Sequence, residues 1–233
     1  MTVAAMRLVL ASNNAKKLAE LQALLALAGV ALVTQGALGI PEADEPHASF
    51  IENALVKARQ AAQLSGGPAM ADDSGLCVDA LGGAPGVVSA HFAHFSPIAL
   101  AAGDREMQRE MQREMQRETP REVQRALQDA ANNHLLLERL AALADRRAHF
   151  IATLVALRSA DDPEPLIAVG RWQGEILREP SGSGGFGYDP LMFIPPLGAS
   201  VAALGVDVKN AHSHRAIAAR EMLGLLRDVW HLG

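Results

Sequence analysis

A chain of 233 residues with 49% hydrophobic and 20% charged residues has enough apolar material for a buried core, which excludes intrinsic disorder. The formal net charge of −5 lacks the basic footprint of a protein that grips a nucleic-acid polymer. One cysteine, Cys77, excludes an intrachain disulfide and suits a reducing compartment. No apolar run approaches the ~20 residues that span a bilayer, and Arg7 interrupts the first apolar stretch, so neither an anchor nor a signal peptide is expected and the cytoplasm is the expected address.

In chain order, Met6 to Ala11 predicts a buried strand, and Ser12-Asn13-Asn14 supplies turn and cap residues. Leucines at 18, 21, 24, 25 and 27 predict an amphipathic helix over 17–28, ended by Gly29. Val30 to Thr34 predicts a second strand. Ser49-Phe50-Ile51-Glu52 has the form of a capping box and opens a helix to about Leu64, broken by Gly66-Gly67-Pro68. Ala69 to Ala71 and Leu76 to Val78 are short strand candidates on either side of an acidic turn, Asp72-Asp73-Ser74-Gly75.

The character changes between Ser96 and Arg125, where Met107 to Glu118 repeats Met-Gln-Arg-Glu three times. A four-residue period drifts about 40° per repeat around an α-helix, so its methionines form a spiral instead of an apolar stripe. We read it as a low-complexity insertion without chemistry, the alternative being a partner-binding helix. A helix follows over 126–143. Ala148 to Leu157 and Leu166 to Trp172 predict an antiparallel strand pair around Asp161-Asp162-Pro163, Ser181 to Pro190 a glycine-rich loop, and Ser213 the cap of a helix through Trp230. Helices interleaved with strands, one pair antiparallel, give an α/β fold with a mixed sheet in a single domain over 1–233, interrupted at about 96–125.

Four segments carry candidate chemistry. A strand passing through Ser12-Asn13-Asn14-Ala15-Lys16-Lys17 into a helix gathers N–H groups, a helix dipole and lysine at one spot, which suits phosphate. Only four of the 21 basic residues are lysines (Lys16, Lys17, Lys57 and Lys209), and a compact point charge is what a phosphate favours. Asp72 and Asp73 are costly to hold among apolar neighbours without a cation, and Mg²⁺ takes one or two carboxylates together with substrate phosphates; Asp44 and Glu45 could complete such a site. In Ser183-Gly184-Gly185-Phe186-Gly187-Tyr188-Asp189, an aromatic on a bare glycine loop can stack on a nucleobase. Lys209 with Ser213-His214-Arg215 offers several donors, suited to a keto oxygen or phosphate.

Together these stretches (ASNNAKKLAEL, FIENALVKARQAA, ADDSGLCVDALGGAPGVVSA, GRWQGEI, EPSGSGGFGYDPLMF and KNAHSHRAIA) closely resemble the inosine/xanthosine triphosphate pyrophosphatase family, in its order, over nearly the whole chain outside Ser96–Arg125. The resemblance implies an elongated two-lobed α/β molecule around a long twisted mixed sheet with flanking helices, an active-site cleft between the lobes, and a homodimer. It implies Mg²⁺-dependent hydrolysis of ITP, dITP and XTP to the monophosphate and pyrophosphate, cleansing the nucleotide pool. It assigns Ser12 to Lys17 to the triphosphate, Asp73 to base catalysis and metal, Asp44 (alternatively Glu45) to metal, and Ser74 to substrate. Phe186, Gly187, Tyr188 and Asp189 would hold base and sugar, and Lys209, His214 and Arg215 the purine edge. The chain departs from the pattern at His91, where the family usually has Arg, and in the acidic loop Ala43-Asp44-Glu45-Pro46-His47. Rival readings are a pyrophosphatase for modified pyrimidine or methylated nucleotides, and a silent nucleotide- or partner-binding protein.

Overall fold

A computed structural model describes residues 6–26, 29–95 and 121–232, without the side chains of 15, 16, 94, 95, 121 and 122; the Met-Gln-Arg-Glu repeat of Met107 to Glu118 lies outside the described residues. The strands are β1 (Met6–Leu10), β2 (Val30–Thr34), β3 (Ala69–Val78), β4 (Arg147–Leu157), β5 (Leu166–Ile176), β6 (Met192–Ile194) and β7 (Ala199–Ser200). The helices are α1 (Ala15–Leu25), α2 (Phe50–Ser65), α3 (Arg121–Leu140), α4 (Val206–His212) and α5 (His214–Trp230). The strands pair in the order β2-β1-β3-β4-β5-β6-β7. β1 runs parallel to β2 and β3, and β6 antiparallel to β5 and β7, so the sheet is mixed as expected. Among the described residues no helix is long and apolar enough to cross a membrane.

Two compact units divide the chain. One comprises Met1–Ser74, Phe150–Trp172 and Gly205–Gly233; the other comprises Gly75–His149 and Gln173–Leu204. In the first unit the period-two alternation of β1 sorts the core. Leu8 and Leu10 join Leu21 and Leu25 of α1, Met70 of β3, and Ala218, Met222 and Leu226 of α5. Val9 instead joins Ala54, Ala58 and Ala61 of α2, with Ala69 and Ala71 of β3. Alternate residues of a strand face opposite sides, so α1 and α5 cover one face of these strands and α2 covers the other. Gly170 lets β5 approach α5 closely, since a Cβ there would lie 2.0 Å from the His214 carbonyl oxygen.

The caps formed largely as the sequence predicts. Ser49 Oγ accepts from Glu52 N at 3.3 Å and donates to the Glu52 carboxylate at 2.6 Å, and Ser213 Oγ accepts from Ala216 N at 3.2 Å. The last helix starts at His214, and a short α4 precedes it that the sequence did not signal. The helix expected over 17–28 begins at Ala15 and ends at Leu25, and the one expected over 126–143 begins at Arg121, inside the stretch assigned to the insertion. One local expectation is corrected: Asp72-Asp73-Ser74-Gly75 is not a turn between two short strands but the middle of a continuous β3. The buried carboxylates stay in the strand because cations from other segments meet them.

Candidate active site

In β3, Met70 packs on the α1/α5 side and Ala71 on the α2 side. By the same alternation Asp72 follows Met70 and Asp73 follows Ala71. Adjacent carboxylates therefore meet different partners, and their chemistry diverges.

Asp72 is fully buried and takes two cations. Lys17 Nζ lies 2.8 Å and Arg215 Nε 3.2 Å from its Oδ2. Ser74 Oγ donates to its other oxygen. Burial alone would raise this carboxyl, but Lys17 and Arg215 outweigh it and hold the group far below the ordinary carboxylate range. Arg215 also donates to Glu20 Oε2 at 3.0 Å, and Lys209 Nζ lies 3.3 Å from Glu20 Oε1. The carboxylates of Asp72 and Glu20 thus keep Arg215 charged despite burial. His214 beside it is buried and stacked on Phe150, with ring centroids 5.0 Å apart. Burial, then the neighbouring Arg215 charge, pushes the imidazole well below its usual pKa, so it is neutral at physiological pH.

Asp73 faces Lys57 of α2, whose Nζ donates to Asp73 Oδ1 at 2.8 Å, to the Asp72 carbonyl at 3.1 Å and to Glu45 Oε2 at 3.1 Å. Burial pushes the Asp73 carboxyl up to about 6; Lys57 pulls against this rise and the nearby Glu45 carboxylate adds to it. Its second oxygen, Oδ2, is buried without a hydrogen-bond partner among the described residues. Two neighbouring carboxylates with an unsatisfied buried oxygen are the donor type a hard cation takes. Among the described residues no group of three or more His, Cys, Asp or Glu is arranged to hold a metal. A pair of carboxylates fits an ion that draws its other ligands from substrate and water. Asp44 is exposed on the loop that carries Glu45, and it is Glu45 that reaches Lys57.

At the β1 exit, Asn14 N donates to Ser12 Oγ at 3.2 Å, and Lys17 N to Asn14 Oδ1 at 3.3 Å, which sets the start of α1. Asn13 is turned toward Glu42, 3.1 Å away. The side chains of Ala15 and Lys16 lie outside the described residues. Phe186 to Asp189 belong to the second unit. There Tyr188 is buried, donating to the Ser89 carbonyl at 2.9 Å, and Asp189 is buried, accepting from Phe186 N at 3.0 Å. Phe186 and Gly187 keep partial exposure. His91 is exposed in the same unit.

A family model described as the Ham1 family matches residues 8–126 and 120–225 of the chain. The chain belongs to the Ham1 family. Similar Ham1 relatives include the dITP/XTP pyrophosphatase of Leptothrix cholodnii, 62% identical over 97% of this chain and 100% of the relative. That of Methylibium petroleiphilum is 63% identical over 97% and 99%. A solved structure of a HAM1 protein from Coxiella burnetii aligns with a TM-score of 0.77 at 37% identity, covering 96% of this chain and 100% of that one.

Glu20 escaped sequence reasoning altogether, while Lys57 stood out only as a lysine of the type a phosphate favours and Asp72 only as half of an acidic pair, neither with a role of its own. Lys57 left a signal, since it sits on the buried Ala54-Ala58-Ala61 stripe of α2, where a lysine must have a partner. Glu20 lies one turn from Lys17 on α1, which signals little. Asp72 was visible, but nothing local separates its task from that of Asp73.

Proposed function

We infer that this chain hydrolyses non-canonical purine nucleoside triphosphates (ITP, dITP, XTP) to the nucleoside monophosphate and pyrophosphate, using Mg²⁺. The observation that carries the reading is Asp73, with one oxygen fixed by Lys57 and the other buried without a hydrogen-bond partner among the described residues. A carboxyl near 6 is ionised at neutral pH yet basic enough to take a proton from water. That water attacks the α-phosphorus, the α–β anhydride bond breaks, and pyrophosphate leaves with the bond's electron pair. Asp73 and Glu45 would hold the magnesium, which when bound neutralises phosphate charge. The β1–α1 turn, Ser12 to Lys17, supplies N–H groups and lysine for the triphosphate, with Ser74 beside it.

Arg215, kept charged by Asp72 and Glu20, and Lys209, paired with Glu20, offer donors and no acceptor. That favours the 6-keto oxygen of hypoxanthine and xanthine over the amino group of adenine. Neutral His214 lines the same cluster. Phe186 serves as the stacking platform, and Gly187, Tyr188 and Asp189 shape its loop. The names of the relatives, dITP/XTP pyrophosphatases, support this substrate class. A homodimer in the cytoplasm belongs to the same reading, and light scattering in solution tests the dimer.

The deciding experiment measures pyrophosphate release from ITP, XTP, dITP, GTP and dUTP with and without Mg²⁺. The expected order places ITP, dITP and XTP well above GTP and dUTP, with turnover lost on chelation. A preference for dUTP would refute the substrate assignment.

A further inference from the structure

Gly187 follows Phe186 and has a φ of +62°, in the left-handed region open to glycine. Both of its backbone hydrogen-bonding groups are held by side chains of α3. Its N–H donates to Asp129 Oδ2 at 2.8 Å, and its carbonyl accepts from Asn133 Nδ2 at 3.0 Å. Residues four apart on a helix lie on one face, a turn from each other, so one turn of α3 grips the two peptide groups on either side of the Gly187 Cα. Turning the Asn133 amide this way leaves its Oδ1 buried without a partner among the described residues, an arrangement rare in native structures.

The neighbouring Asn132 anchors that helix turn. Its Nδ2 donates to the carbonyls of Ser89 and Ala90, at 3.2 and 3.1 Å, and its Oδ1 accepts from Ala93 N at 2.9 Å. The Ser89 carbonyl also receives the Tyr188 hydroxyl at 2.9 Å. Other bonds of the loop include those from Phe186 N to Asp189 and from Asp189 N to the Phe186 carbonyl, and bonds to Ser200 and Ala202. Those set the shape of the loop, whereas Asp129 and Asn133 set where it stands on α3.

We propose that Asp129 and Asn133 are positioning residues for the base platform: they fix the backbone on both sides of Gly187 so that Phe186 is presented in one orientation to the nucleobase. The proposal rests on Phe186 being that platform. Neither residue acts at phosphorus, so their contribution lies in binding the base and not in the chemical step.

The test compares D129A, N133A and the conservative D129N, whose amide oxygen can still accept from Gly187 N–H. D129A and N133A are expected to raise KM for ITP about 5- to 10-fold with kcat within about two-fold, the pattern of lost uniform binding. D129N is expected to stay within about two-fold of wild type in both. Inhibition by inorganic pyrophosphate, which has no base, is expected to be unchanged in all three. Hydrogen exchange of the peptide over 181–190, measured without nucleotide, is expected to quicken in D129A and N133A alone. An unchanged KM in D129A would overturn the positioning role, and so would a parallel weakening of pyrophosphate inhibition, which marks a merely structural tether. A wild-type chain that releases no pyrophosphate from any purine triphosphate would instead overturn the reading beneath it.

Discussion

Replacing Asp72 by Asn keeps the shape of the side chain and removes its charge. In the wild-type protein that charge is fully buried, 2.8 Å from Lys17 and 3.2 Å from Arg215. Removing one partner of a buried ion pair costs about 3–5 kcal/mol because the remaining charge stays desolvated. Here the lower end applies, since the Lys17 side chain is 17% exposed and Arg215 retains Glu20. A loss of ~3 kcal/mol in a chain of this size lowers Tm by about 6–12 °C. The pH dependence follows from the sign of the shift. The folded carboxyl titrates below its ordinary value of 3.8, so its stabilisation is complete above that value and is lost as pH falls through the folded one. The Tm gap between wild type and D72N is therefore flat from about pH 8 to 5 and narrows below about pH 4. Scanning fluorimetry across that range reads it directly. A D72N protein melting within about 2 °C of wild type at pH 7 would refute the argument that Asp72 anchors two buried cations.

Three further outcomes are expected. D73N folds normally, because Lys57 keeps Glu45 as a partner, yet loses about 100-fold or more in kcat for ITP, the scale of a lost general base; near-normal turnover would remove Asp73 from the mechanism. Protonation of Asp73, near pH 6, sets the acid limb of the activity profile; K57M removes the lowering charge and moves that limb upward by roughly one unit or more in a pH–rate series, and an unmoved limb would count against the pairing. Deleting Gly103 to Thr119, which carries no anion- or base-binding pattern, leaves kcat and KM for ITP nearly unchanged; a large rise in KM would show that the segment serves the site.

What was legible in the sequence was local. The capping box at Ser49, the Ser213 cap and the leucines of α1 each depend on residues within one or two turns, and the structure has them. The glycine-rich loop and the motif order that marks the Ham1 family were likewise plain in one dimension. The ends of α1 and α3 differ by a few residues because terminal turns are the part of a helix least determined by its apolar pattern, and β6 and β7, of three and two residues, are too short to leave a periodic pattern.

The division of labour between Asp72 and Asp73 was decided only in three dimensions. In one dimension they are two identical side chains in an apolar stretch, which reads as a turn. Strand alternation sends one to the α1/α5 face and the other to the α2 face. Only there do partners from distant segments, Lys17 and Arg215 on one side and Lys57 and Glu45 on the other, set one carboxyl far below the ordinary range and lift the other to about 6. Local pattern fixes which residues can form a strand. The charge state of a buried carboxylate depends on which cations the fold brings within a few ångströms, and sequence separation carries no information about that distance.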